Sequence, residues 1–274
     1  LVRQRWTRTP APNLELLTNP MPFRVVQISD THLFADPEGE LLGVRTRTGT
    51  EAVINHIRNE VGAFDLMVIS GDLVHEEAAA YEELRGLLGD WLPLCRVIPG
   101  NHDKRGSLRG IFPESHSPLE EDVVFEQKLG NWQLIGLDTL RVGYVEGEIK
   151  EPQWEWLEGL LAENAEHPTV IFMHHPAVLI GSGWLDQLGL IESECFQQLV
   201  KDSPQVKLIS AGHVHQESAT TIGHAAAHTL PAASVQFAVG TDEFAIGTEL
   251  PGYRIIDLEE DGSFTTEVVR VSVP

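Results

Sequence analysis

Seven side chains of metal-binding type stand at the ends of five short apolar runs: Asp30 and His32, Asp72, Asn101, His174, and His213 with His215. A lone Asp-x-His or Asn-His pair is a commonplace polar turn. Five repeats of the same layout, each an apolar run that stops at nitrogen or oxygen donors, are not. The set holds no thiolate, which points to Mn, Fe or Zn rather than a soft metal. An ion of the zinc type takes about four ligands, so seven donors suit two ions if one carboxylate bridges them. Like cations held close together repel, and a bridging carboxylate and hydroxide would offset that. The spacings Asp-x-His and His-x-His predict that both side chains leave the same face of an extended chain, because direction repeats every second residue. Between Pro99 and Asn101 stands Gly100, whose missing Cβ permits a sharp turn. His102 follows Asn101 directly, within reach of the same centre.

The elements that must position these residues can be read from the apolar pattern. Residues 23–29, 66–69, 94–98, 169–173 and 206–210 have the length and apolar content of buried strands. Helices are predicted over 50–61, where Val53, Ile54, Ile57 and Val61 fall at helical spacing, and over 76–91, 151–165 and 192–201. Pro152 suits the first turn of its helix. Residues 34–48 read as a loop. Runs at 123–126 and 132–137 read as paired strands around Leu129-Gly130-Asn131, and 181–190 is an irregular loop carrying Trp184 and Asp186. Strands alternating with helices predict crossover-connected α/β layers with ligands at the carboxyl ends of the strands. Neither an internal repeat nor a low-complexity tract interrupts this pattern. The expectation is one domain with two packed sheets over residues 21–274. Residues 1–20, with Arg3, Arg5, Arg8, Pro10, Pro12 and Pro20, read as a flexible extension or as sequence upstream of a start at Met21. They lack the apolar segment of a secretory signal.

A chain of 274 residues can bury a substantial core, and 42% hydrophobic and 22% charged residues are ordinary for a globular protein. The net charge of −22 argues against nucleic acid as a partner, since phosphate-backbone binding relies on Lys and Arg. It also repels small anions at long range, so an anionic substrate needs a local positive centre, which bound cations would supply. No apolar run is long enough to span a bilayer. Two cysteines, Cys95 and Cys195, need not pair, and a reducing cytoplasm fits them.

Taken in order, Asp-x-His, Gly-Asp, Gly-Asn-His-Asp, His-x-Pro and Gly-His-x-His resemble the signature of calcineurin-like metallophosphoesterases, over residues 23 to about 216. Further blocks resemble the bacterial class III 3′,5′-cyclic-AMP phosphodiesterases: Gln27-Ile28-Ser29-Asp30-Thr31-His32-Leu33, Gly183-Trp184-Leu185-Asp186-Gln187, Gly212-His213-Val214-His215-Gln216-Glu217, and the tail segments Pro251-Gly252-Tyr253-Arg254 and Asp261-Gly262-Ser263. The resemblance implies an α/β fold, the four-layer αββα sandwich of two mixed β-sheets flanked by helices. It implies one ion on Asp30, His32, Asp72 and His215, and a second on Asp72, Asn101, His174 and His213, with Asp72 bridging. The ions would be Fe, Mn or Zn, divalent or mixed-valence. The reaction implied is hydrolysis of cyclic AMP to 5′-AMP by attack of a metal-bridging hydroxide on phosphorus. The family pattern has no counterpart for residues 1–20.

Cyclic AMP expels the ribose O3′, an alkoxide that leaves poorly unless protonated, and His102 is the candidate acid. Asn101, His102 and His215 are expected to face the substrate as well. Trp184 and Asp186 stand at the expected opening, Trp184 either stacking on adenine or capping the core or a subunit contact. His175 reads equally as packing or substrate-facing. His75, three residues past Asp72, could reach the site, and most other histidines (His56, His116, His167, His224, His228) read as solvated. The rival activities are hydrolysis of a glycerophosphodiester or a 2′,3′-cyclic nucleotide. A non-catalytic scaffold on the same fold is a further rival, but such a scaffold would have lost ligands. The expected partner is a small cyclic nucleotide, with neither nucleic acid nor membrane, and a homodimer left open.

Overall fold

The computed structural model describes residues 21–113, 115 and 118–274. The expected extension over 1–20 and His116 lie outside the described residues. The elements in chain order are β1 (Phe23–Ile28), a small hairpin of β2 (Glu40–Leu41) and β3 (Val44–Arg45), α1 (Thr46–His56), β4 (Leu66–Ser70), α2 (Ala80–Leu88), β5 (Cys95–Ile98) and α3 (Arg105–Ile111). There follow β6 (Phe125–Leu129), β7 (Trp132–Gly136), α4 (Glu151–Glu163), β8 (Thr169–Met173), α5 (Ser193–Asp202), β9 (Val206–Ala211), β10 (Ser218–Ile222), β11 (Ala225–Thr229), β12 (Gly252–Leu258) and β13 (Phe264–Arg270).

Two mixed sheets form, with strand orders β13-β12-β1-β4-β5 and β10-β11-β9-β8-β7-β6. Side-chain alternation explains how both become buried on two faces. In β1, Val25 enters the core between the sheets while Val26 and Ile28 face the helix side. In β8, Val170 and Phe172 face the first sheet, whereas Ile171 and Met173 pack with Leu157 of α4 and Phe196 of α5. Helices α1 and α2 cover the first sheet through Val53, Ile54, Tyr81 and Leu84. Three apolar interfaces therefore separate four layers, and the expected αββα sandwich is what the chain forms.

The strands that carry the seven donors are the parallel ones. β1 pairs β4 and β4 pairs β5 in parallel, as β8 pairs β9 in the second sheet. Their carboxyl ends therefore gather at one edge of the sandwich. Just beneath that edge a buried polar link joins the sheets: Ser210 Oγ donates to Gln27 Oε1 (2.6 Å), and Gln27 Nε2 donates to Ser70 Oγ (2.9 Å). It explains why one glutamine and two serines, Gln27, Ser70 and Ser210, interrupt otherwise apolar strands.

Several boundaries differ from the expected ones. The helix predicted over 76–91 is α2 alone, followed by a 3-10 turn at Gly89–Leu94. Glu76 (φ 64°) breaks its start, and Gly89 closes it with a positive φ of 55° that favours glycine. Helix α1 begins four residues early and ends in a π-turn, Ile57–Val61. Helix α3 is absent from the sequence pattern because Gly106 and Gly110 depress its helix propensity. The last hairpin joins the first sheet, with β12 antiparallel to β1.

Candidate metal centre

Five of the seven donors occupy left-handed backbone: Asp30 (φ 56°), His32 (43°), Asp72 (50°), His213 (70°) and His215 (50°). This corrects the expectation of an extended Asp-x-His and His-x-His, since β1 stops at Ile28 and β9 at Ala211. The side chains converge through turn geometry instead of strand alternation. Such conformations cost about 1–3 kcal/mol each and persist only where the surroundings fix them. Here Asp30 N donates to Gly71 O (3.0 Å), His32 N to Asp72 O (2.9 Å), Thr31 Oγ1 to Leu73 O (2.6 Å) and Ser234 Oγ to Asp30 O (2.6 Å).

The donors meet in a buried polar cluster. His32 Nε2 and His215 Nε2 lie 3.2 Å apart, and His215 Nε2 is 3.2 Å from Asp30 Oδ1. Asp72 Oδ2 stands 3.6 Å from His32 Nε2 and 3.4 Å from His174 Nε2, between the two groups of histidines. The His174 and His213 rings are in edge contact, centroids 5.1 Å apart. One donor atom each from Asp30, His32 and His215 lie within 4.8 Å of one another, as do those from Asp30, Asp72 and His174.

Whether cations fit here can be judged from what the cluster lacks. His174 Nε2, His213 Nε2 and Asn101 Oδ1 are buried and have no hydrogen-bond partner among the described residues. A buried polar atom left unpaired costs about 1–3 kcal/mol, so each calls for an explanation. The opposite ring nitrogens are committed: His174 Nδ1 donates to Ser70 O (2.8 Å) and His215 Nδ1 to Val235 O (2.7 Å). These bonds fix the tautomer that leaves Nε2 free as a ligand. Burial pushes His32 and His213 down to about 3, so both are neutral, as metal ligands must be. Burial also opposes a charge on His174, but the carboxylates of Asp72 and Asp30 overrule it and hold it up at about 9. Asp30 and Asp72 stay ionised despite burial because the histidines around them favour the charged form, Asp30 at about 2. The centre thus draws positive charge into a dry pocket. Residues and field both fit cations.

Asp103, the last residue of the Gly-Asn-His-Asp run, has a separate task. Its carboxylate accepts from Tyr81 Oη (2.9 Å), Gly100 N (2.9 Å) and Leu73 N (3.2 Å), tying the loops after β4 and β5 together. Burial and the nearby Asp72 charge push it up to about 7. His102 donates its backbone N–H to Asp72 Oδ1 (2.8 Å), and its partly exposed ring borders the centre.

A cavity of about 240 Å³ opens onto the cluster, lined by His32, Asp72, Asn101, His102, His213 and His215 together with Trp184, Phe237 and His75. Among the described residues no Lys or Arg lines it. Trp184 therefore reaches the site, with its indole nitrogen buried and unpartnered. Asp186 does not: its carboxylate accepts from Ile180 N (2.7 Å) and Gly181 N (3.2 Å), and it holds its own loop. His175 is also inward. Its Nδ1 pairs with Thr139 Oγ1 (2.7 Å) and its Nε2 donates to Val145 O (2.9 Å), so both nitrogens are used in packing. Three of the histidines expected to be solvated have partners elsewhere: His56 pairs with Tyr253 Oη (3.0 Å), His167 with Asn131 O (2.8 Å) and His228 Nδ1 with Arg254 Nη1 (3.4 Å). Sequence reasoning missed Phe237, whose ring stacks on His215 (4.2 Å, 11°) and meets Trp184 and Phe244 in an aromatic wall. Nothing in the local sequence ties residue 237 to residue 215.

This site on this sandwich is that of a metal-dependent phosphoesterase. The chain belongs to the calcineurin-like phosphoesterase family, which it matches over residues 23–217. It is 35% identical over 250 residues to a 3′,5′-cyclic adenosine monophosphate phosphodiesterase CpdA of Vibrio vulnificus, covering 91% of this chain and 90% of that one. The CpdA of Pseudomonas aeruginosa is 31% identical over 268 residues, 97% of this chain and 94% of that one. Among solved structures, a dimetal phosphatase from Danio rerio superposes with a TM-score of 0.66 at 16% identity, covering 92% of this chain and 100% of that one, a likeness of fold.

Proposed function

We propose that this chain hydrolyses 3′,5′-cyclic AMP to 5′-AMP, with residues 21–274 acting as one domain. The observation that carries the chemistry is the convergence of two ionised carboxylates with orphaned imidazole and amide donors beside a cavity whose described lining holds no Lys or Arg. The substrate class rests on the likeness to the CpdA enzymes over most of both chains.

In this reading Asp30, His32, Asp72 and His215 hold one ion, Asp72, Asn101, His174 and His213 hold the other, and Asp72 serves both. Two bound divalent cations, Fe, Mn or Zn, supply Lewis-acid polarisation of the phosphate and activation of water at neutral pH. The protein's own residues do the rest. Ser70 and Val235 carbonyls hold His174 and His215 in the ligating tautomer. Asn101, His102 and His215 border the phosphate, and His102 gives its proton to the departing O3′. Trp184 and Phe237 form the wall against which the base stacks. Asp186 supports this wall's loop without touching substrate. Cys95 and Cys195 are not joined to each other, which supports a reducing cytoplasm as the working compartment. Among the described residues no helix is long and apolar enough to cross a membrane.

The test is a hydrolysis panel on metal-loaded protein: 3′,5′-cyclic AMP and GMP, 2′,3′-cyclic AMP, glycerophosphocholine and an aryl phosphodiester. Cyclic AMP should give the highest kcat/KM. A preference for the glycerophosphodiester or the 2′,3′-cyclic nucleotide would replace this substrate assignment. Metal analysis accompanies it: two ions per chain are expected, and Asp72→Ala should lose both together, whereas His32→Ala weakens mainly one.

A further inference from the structure

Next to the centre, three imidazoles touch. The His75 and His102 rings stack at 4.7 Å with 28° between planes, and His32 meets His102 at 5.1 Å and His75 at 5.7 Å. One ring nitrogen from each of the three lies within 4.8 Å of the others. His32 has its Nε2 turned to Asp72 and His215, so it belongs to the centre already described. His75 and Glu76 have no place there. Among the described residues, the Nδ1 atoms of His75 and His102 are both buried without a hydrogen-bond partner. Two orphaned nitrogens on stacked rings are as costly as those inside the main cluster.

A carboxylate stands beside the pair: Glu76 Oε1 lies 3.6 Å from His102 Nδ1, on a side chain that is 70% exposed. The Glu76 backbone is fixed, left-handed at φ 64° and holding Lys104 Nζ on its carbonyl (2.8 Å). Ligands of one zinc ion stand about 2.0–2.2 Å from it, so neighbouring donors lie roughly 3.3 Å apart. The Glu76–His102 separation is close to that. Imidazole with carboxylate is a donor set for zinc and similar borderline ions.

We propose that His75, His102 and Glu76 form a third, inhibitory zinc site at the rim of the cavity, with His32 as its inner neighbour. His75 and His102 both line the cavity that the substrate must enter, so a zinc ion held between them would occlude it and pin the His102 ring away from O3′. Zinc in excess of the two resident ions should therefore switch off cyclic-AMP turnover. The kinetic half of this inference rests on the function proposed above; the binding half does not.

The experiment starts from protein loaded with two equivalents of metal and titrates Zn²⁺ alone in a chelator-buffered equilibrium dialysis. A parallel Co²⁺ titration follows the visible absorption of the third equivalent. Wild type should take up a third ion. His75→Gln should weaken that ion by at least about tenfold, the scale on which even an outer-shell partner affects a site, while the first two equivalents stay. Glu76→Gln, at an exposed position, should weaken it too, and it decides the matter if His75→Gln does not fold. Inhibition of cyclic-AMP hydrolysis, scaled to each variant's own rate at two equivalents, should shift in step. Saturation of wild type at two equivalents would overturn the site, as would a third affinity unchanged in both variants. Third-ion binding without loss of turnover would overturn the inhibitory role alone. Absence of cyclic-AMP hydrolysis at two equivalents would count against the function proposed above and leave the binding result standing.

Discussion

Replacing Gly100 by Ala tests whether the loop after β5 is built around the bridging carboxylate. A Cβ at position 100 would meet Asp72 Oδ1, the Asp72 backbone N at 2.5 Å and Asp72 Cγ at 2.7 Å. Ordinary contact begins at about 3.4 Å. The backbone clash therefore requires an opening of roughly 0.9 Å, which no side-chain rotation can provide. Overpacking of this kind costs about 1–3 kcal/mol, or a fall in Tm of about 2–4 °C per kcal/mol for a chain of this size. The effect on chemistry should be larger. The opening separates Asp72 from Asn101 and His102, and a misplacement near 1 Å costs on the order of 10²-fold in rate. Gly100→Ala should thus lose about two orders of magnitude in kcat/KM on cyclic AMP and retain less metal, yet keep a cooperative thermal transition. Gly106→Ala is the control: it lies in α3 with nothing within 4 Å of its Cβ, so it should be neutral or slightly stabilising. Full metal content with kcat/KM within threefold of wild type in Gly100→Ala would refute the reasoning.

Three further outcomes are expected. His102→Ala should cut kcat on cyclic AMP by roughly the 10²–10⁴-fold typical of general acid catalysis. It should cost bis(p-nitrophenyl) phosphate much less, because a phenolate leaves unprotonated; matching losses on the two substrates would disprove the proton-donor role. Trp184→Ala should raise KM for cyclic AMP about threefold to tenfold, the worth of an aromatic contact of about 0.5–1.5 kcal/mol, and leave KM for a small aryl phosphodiester nearly unchanged. Equal effects would make Trp184 a folding residue. Arg105→Met removes the guanidinium that pairs with buried Asp138 through Nε (2.6 Å) and Nη2 (2.8 Å), and should destabilise by about 3–5 kcal/mol at pH 7. Burial already holds Asp138 above the usual carboxylate range, with Arg105 opposing that shift. Without Arg105 the folded value rises further above the unfolded one. The penalty is then present at high pH and relieved as pH falls toward the unfolded value, so denaturant midpoints of variant and wild type should approach each other on acidification.

The sequence determined the donor inventory, because each ligand is covalently adjacent to an apolar run whose pattern survives without tertiary context. Asp30 must follow β1, Asp72 β4, Asn101 β5, His174 β8 and His213 β9, and parallel pairing then brings these ends to one edge. The same adjacency made the two-sheet sandwich legible, down to the turn at Gly130 between β6 and β7. What the tertiary structure decided is everything that depends on contacts between distant segments. Left-handed backbone at Asp30, His32, Asp72, His213 and His215 is disfavoured locally and exists only because bonds such as Ser234 to the Asp30 carbonyl hold it. Asp186 faces its own loop's amides instead of a ligand, and His175 spends both nitrogens on Thr139 and Val145, choices no residue type reveals. Phe237 on His215 is a meeting of chain segments whose neighbours in sequence carry no trace of each other, and the stacking of His75 on His102 is fixed only by packing. Periodicity reports which face of an element is buried; only packing fixes what that face is buried against.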